Sequence, residues 1–174
     1  MNPRTGEILA MVSLPTYDNQ YFARFIPLSY YNELLDHPHR PLFNQAISGE
    51  HPPGSVFKLA VAAGALQEGV VTIDQYVFDP GEILITNRYF PNDPGKTRKV
   101  VCWRRDGHGD VDFITGFAES CDVYFYALGG GYEEGGVYEG GLGIDLMYEY
   151  ARMLGYDEPT GIELPGEGKG LMPS

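Results

Sequence analysis

Apolar and polar positions divide the chain into segments of distinct period. Residues 6–13 form a short apolar run bounded by a Thr-Gly turn and by Leu14-Pro15, which predicts a strand in need of sheet partners. From 16 to 40, aromatic residues alternate with polar ones and prolines, predicting an irregular lead-in with short helices. Residues 56–66 are apolar on nearly every side and are closed by Gly69, so they predict a helix inside a domain, entered through a Pro53-Gly54 turn. Residues 76–81 and 82–86 read as short strands about a Pro-Gly turn, and 91–95 as a loop.

A second helix is predicted after Asp112, its cap, because Ile114, Phe117, Ala118, Cys121, Tyr124, Phe125 and Leu128 follow the spacing of one buried face. Residues 129–143 contain eight glycines, which predicts a surface loop. A third helix over 144–154 stops at Gly155, and 159–165 form an extended, turn-rich tail. Helices and short strands are thus both predicted.

Two features of the pattern carry chemistry. Ser55 stands at the start of the apolar helix, where unpaired N–H groups favour developing negative charge, and Lys58 lies one turn on along the same face. A serine hydroxyl is a weak nucleophile until a base takes its proton, and a lysine in a dry site suits that task because desolvation disfavours its charged form. The plain alternative is a capping serine followed by a solvated lysine, but an unpaired lysine on so apolar a helix is costly. Ser120 and Asp122, on the second helix, also need partners, and Lys58 and Ser55 are the obvious ones.

The second feature is Cys102, His108 and Cys121, the sole two cysteines with a histidine between them. Three soft or borderline ligands within twenty residues fit zinc, with Asp79 as the candidate fourth. A disulfide between the cysteines, or two unrelated buried thiols, would explain the same residues. His37, His39 and His51 lie in proline-rich stretches and read as surface residues.

Composition narrows the function classes. At 174 residues the chain has the length of one domain, and 43% hydrophobic with 13% aromatic residues suffices for a core. A net charge of -12 argues against nucleic acid as a partner, since the one basic cluster, between Lys96 and Arg105, is short and interrupted. No apolar run approaches a membrane span, and no secretory leader pattern opens the chain. Both ends read as interior points of a longer protein.

Pro52-Pro-Gly-Ser-Val-Phe-Lys58, Gly107-His-Gly109 and Ser120-Cys-Asp-Val-Tyr-Phe-Tyr126, in this order, resemble the transpeptidase domain of class B penicillin-binding proteins of the elongation (rod-shape) type. Arg4-Thr-Gly-Glu-Ile-Leu-Ala-Met-Val-Ser13 and Thr160-Gly-Ile-Glu-Leu-Pro165 match as well, so the resemblance covers residues 1–174 apart from the glycine-rich loop. It implies the α/β (α+β) penicillin-binding transpeptidase and serine β-lactamase-like fold, truncated, without the C-terminal sheet strands and without the N-terminal anchor and pedestal. The family's Lys-Thr-Gly element is missing, because Lys96-Thr97 is followed by Arg98 and precedes Ser120. An incomplete antiparallel sheet predicts association or strand exchange between chains.

By the same resemblance Ser55 would attack the D-Ala-D-Ala amide of a peptidoglycan stem peptide, or a β-lactam that imitates it. Lys58 would take its proton, Ser120 would relay a proton to the leaving amine, and Asp122 would stand where many relatives carry Asn. The Ser55 N–H would form half of an oxyanion hole. Some elongation-type relatives hold zinc beside the active site with acidic, His and Cys ligands, an acidic residue standing where Cys102 does here. The implied place is the extracytoplasmic side of the membrane, with a glycosyltransferase of the elongation machinery as partner. A β-lactamase or β-lactam sensor, with Glu163 or Glu167 as hydrolytic base, and a non-catalytic zinc-stabilised module are the alternatives.

Overall fold

The computed structural model describes residues 1–85, 98–134 and 137–172, and the loop expected at 91–95 lies outside them. The chain divides into two compact units, one of Met1–His51 with Pro159–Gly170, the other built on Pro52–Glu158.

In the first unit, Pro27 precedes α1 (Leu28–Asp36), its fixed φ of -60° matching a helix entry, and the helix turns Leu34 inward. Asn44 caps the short α2 (Gln45–Ser48) by accepting the Ala46 N–H at 3.1 Å. The tail closes onto α2, with the Gly168 N–H donating to the Ile47 carbonyl at 2.7 Å and Ser48 Oγ donating to the Gly166 carbonyl at 2.5 Å. Glu167 is occupied within this tail, accepting the Thr160 N–H at 2.6 Å, and those bonds hold its carboxyl below the usual range. The lead-in of short helices is as expected. The strand expected at 6–13 is not formed: the segment pairs with no described strand, and Leu9 and Val12 stay exposed. A strand exists only as part of a ladder, and no described edge lies alongside to complete one.

The second unit packs α3 (Lys58–Gln67) against α5 (Asp122–Gly130) and α6 (Gly143–Met153). Small residues bring α3 close: Ala60, Ala62, Gly64 and Ala65 are buried, and a Cβ on Gly64 would strike the Leu142 and Tyr150 side chains. Beside the helices, the described residues form three two-stranded antiparallel ladders, β1 (Val77–Asp79) with β4 (Gly109–Val111), β2 (Glu82–Ile85) with β3 (Arg98–Val101), and β5 (Tyr132–Glu134) with β6 (Val137–Glu139). Tyr124, Val111, Val123, Cys102 and Cys121 lie at the centre of the core with Asp79. Among the described residues no helix is long and apolar enough to cross a membrane.

Four local expectations are corrected. The serine helix begins at Lys58, and Ser55 lies in the 3₁₀ turn Gly54–Phe57 that leads into it. The strands flanking Pro80-Gly81 do not pair with each other, because each continues into a different ladder. The helix predicted from Asp112 is two helices, α4 (Phe113–Ala118) and α5, so Ile114 and Phe117 are left exposed while Cys121, Tyr124, Phe125 and Leu128 are buried. The glycine-rich segment carries the β5–β6 hairpin instead of a plain loop.

Helices α3, α4 and α6 share one ending. In each, the second residue past the capping position returns its N–H to the third carbonyl from the helix end: Val70 to Ala65, Cys121 to Gly116, and Tyr156 to Ala151. The residue between must be left-handed, and it is Gly69 (φ 69°), Ser120 (φ 51°) and Gly155 (φ 88°) respectively.

Candidate active site

Ser120 is therefore held by backbone geometry in a conformation an L-residue enters at a cost of about 1–2 kcal/mol. This bend turns both its carbonyl and its hydroxyl toward the start of α3, where Lys58 Nζ donates to Ser120 O at 2.7 Å and to Ser120 Oγ at 3.0 Å. The third bond of the Lys58 ammonium goes to Asp122 Oδ1 at 2.6 Å, so its three N–H donors meet three acceptors. The Lys58 side chain is only 14% exposed and its Nζ lies 5.4 Å from the centre of the Phe125 ring. Ser120 Oγ donates to Ser55 Oγ at 3.1 Å. Lys58 thus reaches Ser55 through Ser120, and all four expected residues form one hydrogen-bonded chain. Pro53 and the left-handed Gly54 (φ 61°) shape the turn that presents Ser55.

Next to this chain lies a second cluster. Asp79 ends β1, His108 leads into β4 opposite it, Cys102 follows β3, and Cys121 caps α5. Asp79 Oδ2 lies 2.7 Å from His108 Nδ1 and accepts from the Cys121 thiol at 3.2 Å, while Oδ1 accepts the Gly81 N–H at 2.7 Å. Cys102 Sγ is 3.5 Å from His108 Nδ1. The four ligand atoms lie within 4.8 Å of one another, and neither cysteine is in a disulfide. Gly81 and Gly107 permit the two loops to touch, since a Cβ on either would enter the other loop's backbone, and both have positive φ.

The electrostatics of the cluster suit a cation. Burial pushes the Asp79 carboxyl up, but hydrogen bonds from His108, the Gly81 N–H and the two thiols more than offset it, leaving it at about 2. Burial, reinforced by the neighbouring Asp79, pushes the Cys121 thiol up, so it remains a donor in the absence of positive charge. His108 turns its Nδ1 to Asp79 and Cys102, while its Nε2 is buried with no hydrogen-bond partner among the described residues. One oxygen, one nitrogen and two sulfur donors converging in a buried site fit a borderline metal ion, and the residues expected to hold one are the residues brought together.

Trp103 joins the two clusters and was not legible in the sequence. Its main-chain N–H donates to Asp122 Oδ2 at 3.0 Å, its indole N–H donates to the Glu119 carbonyl at 2.9 Å, and its ring meets that of His108 edge to face at 5.4 Å. Adjacency to Cys102 is the sole signal the sequence offers for it.

A serine and a lysine three residues apart at a helix start, linked through a second serine, define the class of sites in which serine is paired with lysine rather than histidine. The chain belongs to the penicillin binding protein transpeptidase domain family, which matches residues 1–174. It is 37% identical over 174 residues to the peptidoglycan D,D-transpeptidase MrdA of Acinetobacter baumannii, covering all of this chain and 23% of that protein. Among solved structures it is similar to Pseudomonas aeruginosa PBP2 in complex with WCK 5153, with a TM-score of 0.74 and 37% identity over 99% of this chain and 35% of that one. It is also similar to the penicillin G acyl-enzyme complex of penicillin-binding protein A from M. tuberculosis, with a TM-score of 0.64 and 28% identity over 88% of this chain and 32% of that one. The chain thus spans about a quarter of the curated relative's length. These likenesses bear out the expected fold class and family, and they lend no support to the β-lactamase or non-catalytic alternatives.

Proposed function

We propose that this chain carries the nucleophilic part of an elongation-type peptidoglycan D,D-transpeptidase. The observation that carries the reading is the hydrogen-bonded chain Ser55–Ser120–Lys58–Asp122. Ser55 Oγ forms a bond to the penultimate D-Ala carbonyl of a stem peptide, and the bond to the terminal D-Ala nitrogen breaks. With Lys58 deprotonated, the hydrogen bonds of the resting site reverse: the Ser55 proton moves to Ser120 Oγ while the Ser120 proton moves to the Lys58 amine, and the return path delivers a proton to the departing amine. Asp122 fixes the Lys58 side chain for both transfers. An amine of a second stem peptide then takes the acyl group from Ser55, completing the crosslink. With a β-lactam the ring amide is opened instead and the acyl group stays on Ser55. The extracytoplasmic side of the membrane, where the stem peptides are, and a glycosyltransferase partner belong to the same reading.

The test is the intact mass of this chain and of Ser55→Ala after incubation with benzylpenicillin. A single penicilloyl adduct on the folded chain, absent from Ser55→Ala, is expected. No adduct on the folded chain, or an adduct retained by Ser55→Ala, would overturn the assignment.

The second part of the proposal is that Asp79, Cys102, His108 and Cys121 hold Zn²⁺. The donor set and the convergence of its four ligand atoms within 4.8 Å support it. The ion would supply a fixed crosslink between β1, the loop from Cys102 to His108 and the N-terminus of α5. Elemental analysis of protein purified without chelator should give about one equivalent of zinc. Less than about a tenth of an equivalent sinks the assignment.

A further inference from the structure

We propose that Trp103 is a positioning residue that fixes the direction in which the left-handed Ser120 presents its hydroxyl, by gripping the chain on both sides of it, an inference resting on the reading of Ser120 as a proton relay. Its two hydrogen bonds end at the residue before Ser120 and at the second residue after it: the indole N–H on the Glu119 carbonyl and the main-chain N–H on the Asp122 carboxylate. Between these two points lies the strained φ of 51°. Burial does not account for a tryptophan here, because the side chain is 58% exposed. What the position does require is a long, rigid donor, and the indole N–H provides one at the far end of a planar ring.

The grip works because its base is fixed. Trp103 follows Cys102, whose N–H donates to the Gly81 carbonyl at 2.8 Å and whose side chain is buried in the four-donor cluster. The Trp103 N–H therefore reaches Asp122 from an anchored peptide, and it engages Oδ2 while Oδ1 holds Lys58. Rotating the carboxylate away from Lys58 would break the bond from Trp103. One residue thereby sets the backbone that aims the Ser120 hydroxyl and the carboxylate that aims the lysine.

Trp103 is the sole tryptophan of the chain, so replacing tryptophan throughout alters this site alone. Two variants are compared with the wild type: Trp103→Phe, which loses the indole donor, and the chain carrying 3-benzothienylalanine at 103, which keeps the bicyclic ring and substitutes sulfur for N–H. Benzylpenicillin acylation is resolved into the noncovalent dissociation constant and the acylation rate constant, and the Ser120 backbone is followed by its HN–Hα coupling and Cα and Cβ shifts. Both variants are expected to lower the acylation rate constant about tenfold with the dissociation constant within about twofold, and to shift the Ser120 Cα and Cβ resonances while its φ stays positive. A benzothienyl variant with a wild-type rate constant, or with unshifted Ser120 resonances, overturns the proposal. If the wild type takes no penicillin while its Ser120 resonances still depend on the indole N–H, the grip stands and the transpeptidase reading falls.

Discussion

Ser120 occupies the position that α3 and α6 give to Gly69 and Gly155. Glycine adopts positive φ without the clash a Cβ brings, so a serine there exchanges local stability for a hydroxyl. Ser120→Gly should therefore raise stability by up to about 1 kcal/mol, read from the denaturation midpoint, while removing the link between Ser55 and Lys58 and lowering the acylation rate by about a hundredfold or more. Lys58→Ala should reduce acylation at least as far and leave a folded protein, because the Asp122 carboxylate keeps the Trp103 N–H and is partly solvated. Ser55, Lys58, Ser120 and Asp122 were legible because side-chain chemistry recurs at set spacings. Trp103 was not, since half of its contribution is a backbone N–H, which every residue but proline possesses.

Between elements, the tightest dependence is that of α3 on α6. Gly64→Ala would press a methyl group into Leu142 and Tyr150, and a cost of about 1–3 kcal/mol is expected in chemical denaturation. Asp112, which caps α4 by accepting the Thr115 N–H at 2.7 Å, has its carboxyl held below the ordinary range by that bond. Its contribution is present above the unfolded-state carboxylate value and is lost as pH falls through the lowered folded value. Asp112→Asn, which caps without titrating, should flatten this part of the acid dependence of the melting temperature. The sequence pattern missed the break between α4 and α5 for a related reason. Cys121 closes the α4 cap and is buried, so the apolar spacing runs on across the bend as though one helix continued. The β5–β6 hairpin was hidden by its glycines, which conceal a period of two.

For the whole molecule, Asp79, Cys102, His108 and Cys121 join segments far apart in sequence. Under the proposed zinc assignment, a chelator should lower the melting temperature by several degrees, reversibly on adding zinc back, and Cys102→Ala should abolish that response. Leu9 and Val12 expose apolar side chains on a segment that pairs with no described strand, so sedimentation should reveal concentration-dependent association that Leu9→Lys reduces. The broad fold was legible because the family motifs span residues 1–174, whereas the division into two units was not, since no composition shift marks it. Ser120, Cys121 and Asp122 are consecutive, yet the outer two meet Lys58 and the middle one meets Asp79. Adding or deleting a single codon within this triplet would send each side chain to the other's destination and break both clusters in one event. Loops elsewhere tolerate changes in length; this tripeptide can only be inherited whole.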